Sequence, residues 1–573
     1  MQLIFQKRDL MIMMQQESSS NKQKFDYAFS ILSEALEHPP SIEADISDQT
    51  AQFLRNIELS EEQEKVAKMS STHLLVKGSA GSGKSITLLT RMMQKMSEDF
   101  GKKFLFVSFN QELVKDAENR FKQSEYYEQL KSHHHTIHFY TFHELAFHLL
   151  KPIRKVRRFQ TSHYNLNRNE DNVRGTMLRL MDLLETEEFK NLPSIHTIKR
   201  TRNTAFLYDE FSWMKGNGFI TLEDYLNCER VGRGKLPNVS VKQRRTIFRL
   251  FEYYREDQKR DFYNRIDRED YALLVMENLH RILNKDKYDH IFIDEVQDLQ
   301  PMQLRVLVNI NKGTLTLSGD ERQRIYKSSP FSYRALGINV QSGNNVVLKR
   351  NWRSTYQIMK LANSLQFSRS QEDSKYDDEK YFPRQGDKPI IQAFPDHTRM
   401  LTTVGGKIME LHEKEPKATF AVIHRQHNTQ QEQHMRTYLG RFFSINTYIK
   451  KVDGPMEERK RGPEVFFLEA KTTKGLEFDY VFIIDFHKDF YPHRDEIENL
   501  KKKKTVTSKD FDEDKKEIEE KEKRILYVSL TRTKQAVFLY FATQREPEET
   551  ISSFVKDFNP HDYEAKGFRK TMV

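Results

Sequence analysis

Hydrophobic residues along this chain form short apolar runs that alternate with longer segments in which apolar positions recur at helical spacing. Thr72–Val76 is such a run, and a glycine-rich turn separates it from Ile86–Met96, where apolar residues recur every three or four positions. Similar strand-like runs follow at Phe104–Phe109, Ile291–Asp294, Thr314–Ser318, Phe420–Ile423, Tyr480–Asp485 and Ala536–Tyr540. Strands that alternate with helices predict an α/β fold with parallel sheets flanked by helices.

The same pattern predicts how the chain is divided. Strand-like runs disappear between 151 and 285, where mixed polar and aromatic stretches such as Ile247–Phe262 predict a helical insertion inside the first α/β unit. We expect six segments: an N-terminal extension with one helix (1–55), the first domain in two parts (56–150 and 286–345), the insertion between them (151–285), a second α/β domain (346–545) and a tail (546–573).

Three segments lie outside the α/β pattern. Apolar residues at helical spacing between Phe25 and Leu36 predict a helix that packs on the body of the protein or on a partner. Lys451–Pro463 and the charge-dense Lys501–Lys523 are predicted to be solvated loops.

Composition narrows the class of protein. The 573 residues include one cysteine, Cys228, which excludes a disulfide framework and a cysteine-rich zinc module. No apolar run approaches the ~20 residues that span a bilayer, and the amino terminus lacks the features of a signal peptide. We therefore expect a cytoplasmic protein without a membrane partner. The net charge of +10 suits a polyanionic partner but by itself favours nucleic acid only slightly.

A glycine-rich run between a predicted strand and a predicted helix fits the phosphate-loop pattern of Gly, four residues, Gly-Lys-Ser/Thr. Its glycines let backbone N–H groups converge on phosphate oxygens, and the helix N-terminus adds the positive end of its dipole. Lys84 is expected to neutralise the terminal phosphates of a nucleotide, and Ser85 to ligate Mg²⁺. The candidate ATP-binding residues are Gly78, Ser79, Ala80, Gly81, Ser82, Gly83, Lys84 and Ser85.

Two carboxylates end the predicted strand Ile291–Asp294. A phosphoryl-transfer site needs such a pair downstream of a phosphate loop, with Asp294 holding Mg²⁺ through water and Glu295 polarising the attacking water. A strand that ends in two solvated acids is frequent, so the pair alone is weak support for catalysis.

The run Asp294-Glu-Val-Gln-Asp298 resembles motif II of the UvrD/Rep-type superfamily 1 helicases. Other segments resemble the remaining motifs of that family in family order: Leu59–Gln63 (the glutamine motif), Phe106–Asn110 and Tyr140–His143 (Ia and Ib), Ser318–Tyr326 (III), Leu348–Ser354 (IV), Thr473–Asp479 (V) and Leu526–Arg532 (VI). The resemblance covers nearly all of the chain beyond the N-terminal extension. It implies two RecA-like domains with a helical insertion, called 1B in the family.

The resemblance also implies roles at a nucleotide site. Gln63 would contact adenine, Trp352 would stack on it, and Glu477 would hydrogen-bond the ribose. Gln323 would couple the γ-phosphate to the DNA site. Arg353 and Arg532 would reach the γ-phosphate from the second domain and complete the charge clamp when the domains close.

For the DNA side, the resemblance implies base stacking on aromatic residues, which tolerates any sequence. Phe109 is one candidate, with a core residue at a strand end as the alternative, and Tyr333-Arg334 is another. Because the spacing before Tyr333 is longer than in the family, Phe331 is an equal alternative. The further DNA-binding candidates are Asn110, Thr141, His143 and Lys471.

The chain departs from the family pattern in three places. Glu469 and Lys471 replace the usual threonine and histidine of motif V, and Lys471 can still meet a phosphate. Before motif VI, the run Lys521-Glu-Lys-Arg524 only partly matches the usual acids and arginines. Only 109 residues separate Thr355 from Val465, so the large 2B insertion that contacts duplex in the family is absent.

The resulting hypothesis is an ATP- and Mg²⁺-dependent translocase or helicase on single-stranded DNA, with the 3′-to-5′ polarity that the resemblance implies. The alternative is a DNA-stimulated ATPase component that gates a partner, such as a nuclease, in a DNA repair or anti-phage assembly. A small-molecule kinase with the same phosphate loop leaves Gln323, Arg353, Glu477 and Arg532 unexplained.

Overall fold

The computed structural model describes the chain at 53–54, 57–153, 175–195, 200–230, 239–260, 267–323, 331–340, 343–367, 384–425, 429–446, 462–501, 508–543 and 546–570. The predicted N-terminal helix and most of the predicted loop Lys451–Pro463 lie outside these residues. Among the described residues, no helix combines the length and the apolar character needed to cross a membrane.

Six strands form the first sheet, in the order β3-β2-β4-β5-β1-β6, and every neighbouring pair is parallel. Side chains alternate between its faces: Leu105 and Val107 of one strand pack into one core, while Phe104 and Phe106 pack into the other. The strands are β1 His73–Gly78, β2 Lys103–Ser108, β3 Thr136–Thr141, β4 Tyr288–Ile293, β5 Asn311–Gly319 and β6 Asn345–Leu348.

Helices cover both faces of this sheet and connect its parallel strands, as parallel pairing requires. They are α1 Glu61–Ala67, α2 Lys84–Glu98, α3 Gln111–Lys122, α4 Tyr127–Ser132 and α5 Phe142–Leu150, and two more helices, Asp270–Glu277 and Pro301–Ile310, follow the insertion.

The helical insertion has a hydrophobic core of its own, built around Phe211, Trp213, Phe251 and Tyr254. Its helices are α6 Glu187–Lys190, α7 Arg200–Asn217, α8 Leu222–Asn227 and α9 Val241–Arg260, and residues 175–183 are also helical. No strand occurs among the described residues of 151–285. The predicted end of the insertion at 285 is too late, because α10 (Asp270–Glu277) buries Tyr271–Val275 in the core of the first domain.

Seven parallel strands form the second sheet, in the order β13-β7-β12-β11-β8-β10-β9. They are β7 Ile390–Phe394, β8 Thr419–His424, β9 Ile445–Asn446, β10 Glu464–Glu469, β11 Phe478–Ile483, β12 Thr533–Ala542 and β13 Glu564–Lys566. The remaining helices are α11 Pro301–Ile310 in the first domain, then α12 Tyr356–Asn363, α13 His397–Lys414, α14 Thr429–Leu439, α15 Arg494–Lys501, α16 Ser508–Leu530 and α17 Pro547–Thr550.

Two parallel-sheet α/β domains are thus confirmed, and the structure differs from the expected segments in three places. Asn345–Leu348 pairs with β1, so the first sheet extends beyond the predicted boundary at 345. Glu564–Lys566 pairs with β7, so the predicted tail contributes a strand to the second sheet. Much of Lys501–Lys523 is helix rather than loop, because apolar positions such as Ile525 anchor α16 in the core of the second domain.

A buried ionic cluster joins the insertion to the first domain. Lys215 of α7 is fully buried and forms ion pairs with Asp267 and Asp270, the latter at 3.3 Å, at the start of α10. The Tyr254 hydroxyl donates to Asp267 at 2.8 Å. Burial and the neighbouring Asp267 raise the pKa of Glu269 to about 7. One ammonium group therefore compensates several carboxylates at the junction.

We predict that Lys215→Met destabilises the insertion by about 3–5 kcal/mol, because it leaves buried carboxylates without a counter-charge. The pKa values of these acids in the folded variant would rise above their unfolded values. The variant should therefore lose stability further as pH rises above about 4. The measurement is the urea midpoint followed by the fluorescence of Trp213, which lies in the insertion core, in a Trp352→Phe background.

Lys190→Met is the matched control, because Lys190 forms an exposed ion pair with Glu187 in the same insertion. Exposed pairs contribute only about 0.2–1 kcal/mol, so its midpoint should hardly move. Equal midpoints for the two variants would show that Lys215 does not support the junction.

Candidate functional site

The phosphate-loop sequence connects β1 to α2 at the carboxyl edge of the first sheet. Gly81 and Gly83 adopt positive φ angles of 86° and 83°, which non-glycine residues rarely tolerate. No side chain caps the N-terminus of α2, and the uncapped N–H groups of a helix N-terminus favour an anion. The Lys84 ammonium donates to the carbonyls of Gly78 and Ser79, both at 2.9 Å.

Gln63 closes the outer side of this loop. Its side chain completes a capping box with Ser60 at the start of α1 and donates to the carbonyl of Ser82 at 3.1 Å. A Cβ atom at Gly83 would lie 2.2 Å from Gln63 Nε2, so this close contact requires glycine.

Asp294 follows β4, which lies next to β2 and β5 in the sheet, and its carboxylate faces the loop. The Ser85 hydroxyl donates to Asp294 Oδ2 at 2.5 Å, and the Ser318 hydroxyl donates to Oδ1 at 2.6 Å. Burial and the neighbouring Glu295 raise the pKa of Asp294 above its ordinary value. Ser85 and Asp294 are more than 200 positions apart in the sequence, and the order of the strands in the sheet brings them together.

Glu295 sits in the left-handed region with a φ of 53°, which turns the chain sharply after the strand. Gln297 donates its side-chain amide to the Glu295 carboxylate. Burial opposes ionisation of Glu295, but the cations of Lys474, Lys84 and Arg532 outweigh it and lower the pKa of this carboxyl. Glu295 is therefore held as a carboxylate beside the loop.

Two cations of the second domain reach this centre. Lys474 Nζ lies 2.6 Å from Asp298, 3.8 Å from Glu295 and 2.8 Å from the carbonyl of Gln323. Arg532 is buried and donates to Gln323 Oε1 at 2.9 Å. Burial, with the nearby Arg353, lowers the pKa of Arg532 to about 10.

Gln323 links these cations to the first domain. Its side-chain amide donates to Asp320 at 2.7 Å while its oxygen accepts from Arg532. The same side chain therefore contacts both domains at once.

The segment after β6 forms another wall of the loop. The backbone N–H of Trp352 donates to the carbonyl of Gly81 at 2.9 Å, and Asn351 donates its side-chain amide to the carbonyl of Ala80. Trp352 is 44% exposed, so part of its indole is accessible. The structure thus brings the backbone of Trp352 to the loop, and its contact with adenine stays a prediction.

Arg353 and Glu477, which were predicted to contact different parts of the nucleotide, form an ion pair with each other. Lys534 adds a second cation 3.4 Å from Glu477. Burial opposes ionisation of Glu477, but Arg353 and Lys534 outweigh it and lower the pKa of the carboxyl.

These residues fit ATP and Mg²⁺. The Ser85 hydroxyl and the Asp294 carboxylate converge within hydrogen-bonding distance, and such oxygens are the ligands that Mg²⁺ prefers. The glycines also keep side chains out of the loop. A Cβ atom at Gly81, for instance, would lie 2.7 Å from Asn351 Oδ1 and collide with it.

The DNA-binding candidates from the first sheet fall into two groups. Phe109 follows β2 and is 39% exposed, so the alternative of a core residue is wrong. Asn110 caps α3 and approaches the carbonyl of Lys474 at 3.5 Å. Thr141 is buried as the cap of α5, and the ring of His143 packs edge-on against Tyr271. Of these four residues, Asn110 contacts the second domain, and the adjacent Phe109 is exposed.

The two aromatic alternatives after Gln323 differ in their surroundings. Phe331 packs against Phe219 of the insertion and beneath the guanidinium of Arg305. Tyr333 and Arg334 instead line a cavity of about 600 Å³.

The departures in motif V have partners within the second domain. Glu469 accepts from Arg425 at 2.7 Å and from the backbone N–H of Lys471 at 2.8 Å. Lys471 Nζ lies 3.8 Å from Glu496. Arg425 also pairs with Glu522, at 2.5 and 3.0 Å.

Sequence reasoning missed Lys474, Asn351 and Gln297 as members of the centre. Lys474 and Asn351 lie inside the segments that resemble motifs V and IV, and Gln297 lies in the motif II segment, but nothing in the pattern indicated their partners.

Comparisons with known proteins identify the family of the chain. Residues 59–328 match the model of the UvrD/REP helicase N-terminal domain, and residues 427–544 match that of the UvrD-like helicase C-terminal domain. A solved structure, the C-terminal domain of a possible DNA helicase from Lactobacillus plantarum, aligns over 37% of this chain and 98% of its own at 17% identity, with a TM-score of 0.24.

Three curated relatives are each 28% identical over short segments. A probable DNA helicase II homologue of Mycoplasma capricolum matches over 25% of this chain, ATP-dependent DNA helicase Rep of Buchnera aphidicola over 23%, and one subunit of the ATP-dependent helicase/nuclease of Streptococcus agalactiae over 20%. The matched segments span 20%, 20% and 10% of these relatives. With both family domains matched in order, the chain belongs to the UvrD/Rep helicase family.

Proposed function

We propose that this protein is an ATP- and Mg²⁺-dependent motor that moves 3′-to-5′ along single-stranded DNA. The observation that carries the proposal is the contact of Lys474 and Arg532, both from the second domain, with the Asp294–Asp298 turn and Gln323 of the first. A centre that is complete only when two domains close can link nucleotide turnover to domain movement.

Each residue of the centre has a proposed role in hydrolysis. Lys84 would bind the terminal phosphates, Glu295 would accept the proton of the attacking water, and Arg532 would stabilise the charge of the transition state. Mg²⁺ held by Ser85 and Asp294 would supply further neutralisation of phosphate charge. When the nucleotide binds, Arg353 would leave its ion pair with Glu477 and contact a phosphate oxygen. Glu477 could then hydrogen-bond the ribose.

The proposed DNA path crosses the carboxyl edges of both sheets. Exposed Phe109 supports base stacking, and the neighbouring Asn110 lies close to Lys474. Tyr333 and Arg334 line the cavity described above, whereas Phe331 packs against the insertion, and both aromatic rings also contact the core of the first domain. Both therefore stay candidates for base stacking.

We predict that single-stranded DNA stimulates ATP hydrolysis at least tenfold and that Lys84→Ala abolishes turnover, because the phosphates lose their fixed cation. Glu295→Gln should lower kcat by about a hundredfold or more with little change in the KM for ATP, because it removes the base and not the phosphate contacts. Steady-state hydrolysis during a DNA titration measures both effects. A rate that does not respond to DNA would contradict the motor.

The second candidate is an ATPase component that works with a partner nuclease. The match to one subunit of a protein named as a helicase/nuclease and the missing 2B insertion favour it. An assay of strand separation on a duplex with a 3′ tail distinguishes the motor from the gating component. A motor that acts alone separates the strands without other proteins, whereas a gating component hydrolyses ATP without strand separation.

We predict that Trp352 reports nucleotide binding. The chain has two tryptophans, so Trp213→Phe leaves only Trp352, whose exposed indole should change its fluorescence when adenine stacks on it. ATP should produce this change at a concentration close to the KM, and a phosphate compound without adenine, such as inorganic triphosphate, should not. Trp352→Ala should raise the KM for ATP about three- to thirtyfold. An unchanged KM would exclude the stacking role.

We predict that Gly81→Ala lowers ATP turnover at least tenfold. A Cβ atom there would lie 2.7 Å from Arg353 Cβ and from Asn351 Oδ1, and would push the Asn351–Arg353 segment off the loop. Gly101→Ala is the control, because Gly101 also has a positive φ, of 63°, but has nothing within 4 Å of the added atom. Both variants carry the strain of ~1 kcal/mol for a left-handed residue. If they lose equal activity, the contact with the segment is irrelevant.

A further inference from the structure

The positions at which the chain departs from the family pattern meet in one ionic network of the second domain. Glu469 and Lys471 lie around the end of β10, and Lys521 lies on α16. Glu496, near the start of α15, connects Lys471 to Lys521. These departures are therefore neighbours in space, although Lys471 and Lys521 are 50 positions apart in the sequence.

The outer part of this network has the form of a small anion site. Lys521 Nζ donates to both carboxylate oxygens of Glu496, at 2.8 and 2.9 Å, and Lys471 Nζ lies 3.8 Å from one of them. Two ammonium groups around two oxygens of one anion are the arrangement that binds a phosphate. Partial burial opposes ionisation of Glu496, but Lys521, Lys471 and Arg425 outweigh it and lower its pKa.

The inner and outer parts of the network differ in exposure. The side chains of Arg425 and Glu522 are 3% and 0% exposed, so their ion pair is fixed in the domain. Those of Lys471, Lys521 and Glu496 are 40%, 37% and 29% exposed. The outer carboxylate can therefore be exchanged for another anion from solvent without loss of the inner pair.

The outer site also lies beside the proposed DNA path. The turn Ala470–Thr473 follows β10 at the carboxyl edge of the second sheet, and Lys474 next to it meets Asn110 of the first domain. We propose that Lys471 and Lys521 bind one backbone phosphate of single-stranded DNA and that the Glu496 carboxylate occupies this site in the DNA-free protein. The inference rests on the proposed function, which supplies single-stranded DNA as the ligand.

DNA must then displace Glu496, and α15 acts as an internal competitor that weakens binding. The test is the affinity for a fluorescent oligothymidylate, measured by anisotropy over a salt series. Glu496→Gln should bind about two- to tenfold more tightly at low salt, the range that corresponds to the release of exposed ion pairs.

Glu498→Gln is the matched control. Glu498 lies on the same helix, where it pairs with Arg494 at 2.6 Å, and its substitution removes the same charge. Its affinity should stay within twofold of the original protein. An equal gain in both variants would overturn the proposal, because it would show only the effect of net charge.

Variants of the two lysines give the second half of the test. Lys471→Met with Lys521→Met should weaken binding and reduce the slope of log affinity against log salt by about 0.7, the value for one phosphate of a single strand. Adding Glu496→Gln to this pair should give no gain. A gain that persists without the lysines would overturn the proposal.

Two further comparisons keep the outcomes distinct. If Glu496→Gln unfolds, Glu496→Asp retains the charge but withdraws it by one methylene, and it should bind DNA more tightly than the original protein. Normal DNA-stimulated hydrolysis with no gain in either variant overturns only this proposal. Absence of DNA binding in the original protein and in both variants overturns the proposed function as well.

Discussion

Compensation of buried charge across the domain interface is the constraint on which the catalytic centre depends. The Asp294–Asp298 turn carries three buried carboxyl groups, and burial of such groups is costly unless cations lie close to them. The first domain supplies Lys84, while Lys474 and Arg532 come from the second domain. If the domains separated, the carboxylates of this turn would lose the cations of Lys474 and Arg532. Closure of the domains therefore stabilises the ionised carboxylates of the centre.

Much of the fold was predictable because it depends on local patterns. The short apolar runs of strands such as β2 and β11, which are buried on both faces of their sheets, and the glycine pattern before Lys84 follow from the sequence alone. The boundaries of the domains were harder to predict. Short elements such as β6 and β13 have little hydrophobic pattern of their own, and they are strands because they pair with the edge of a sheet. Charge density also concealed α16, whose buried positions are concentrated towards its C-terminal half.

Side-chain partners at the site were less predictable. The phosphate loop and the Asp294-Glu295 pair could be placed, because strand order brings carboxyl edges together. The pairing of Arg353 with Glu477 joins residues 124 positions apart, and that of Arg425 with Glu469 joins residues 44 apart. The first pair depends on how the segment after β6 lies against the second domain, and the second pair depends on the register of β8 and β10. No local spacing encodes either of them.

The segment between β6 and α12 has a mechanical consequence. Residues 349–355 connect the last strand of the first sheet to α12 of the second domain, and the same segment carries Asn351 and Trp352, which contact the phosphate loop. A segment of this length reaches at most about 25 Å when fully extended, which limits how far the domains can part. The amplitude of any domain movement is therefore limited by a tether that also forms a wall of the phosphate loop, and a longer tether would change both the reach of the second domain and the contacts of the loop.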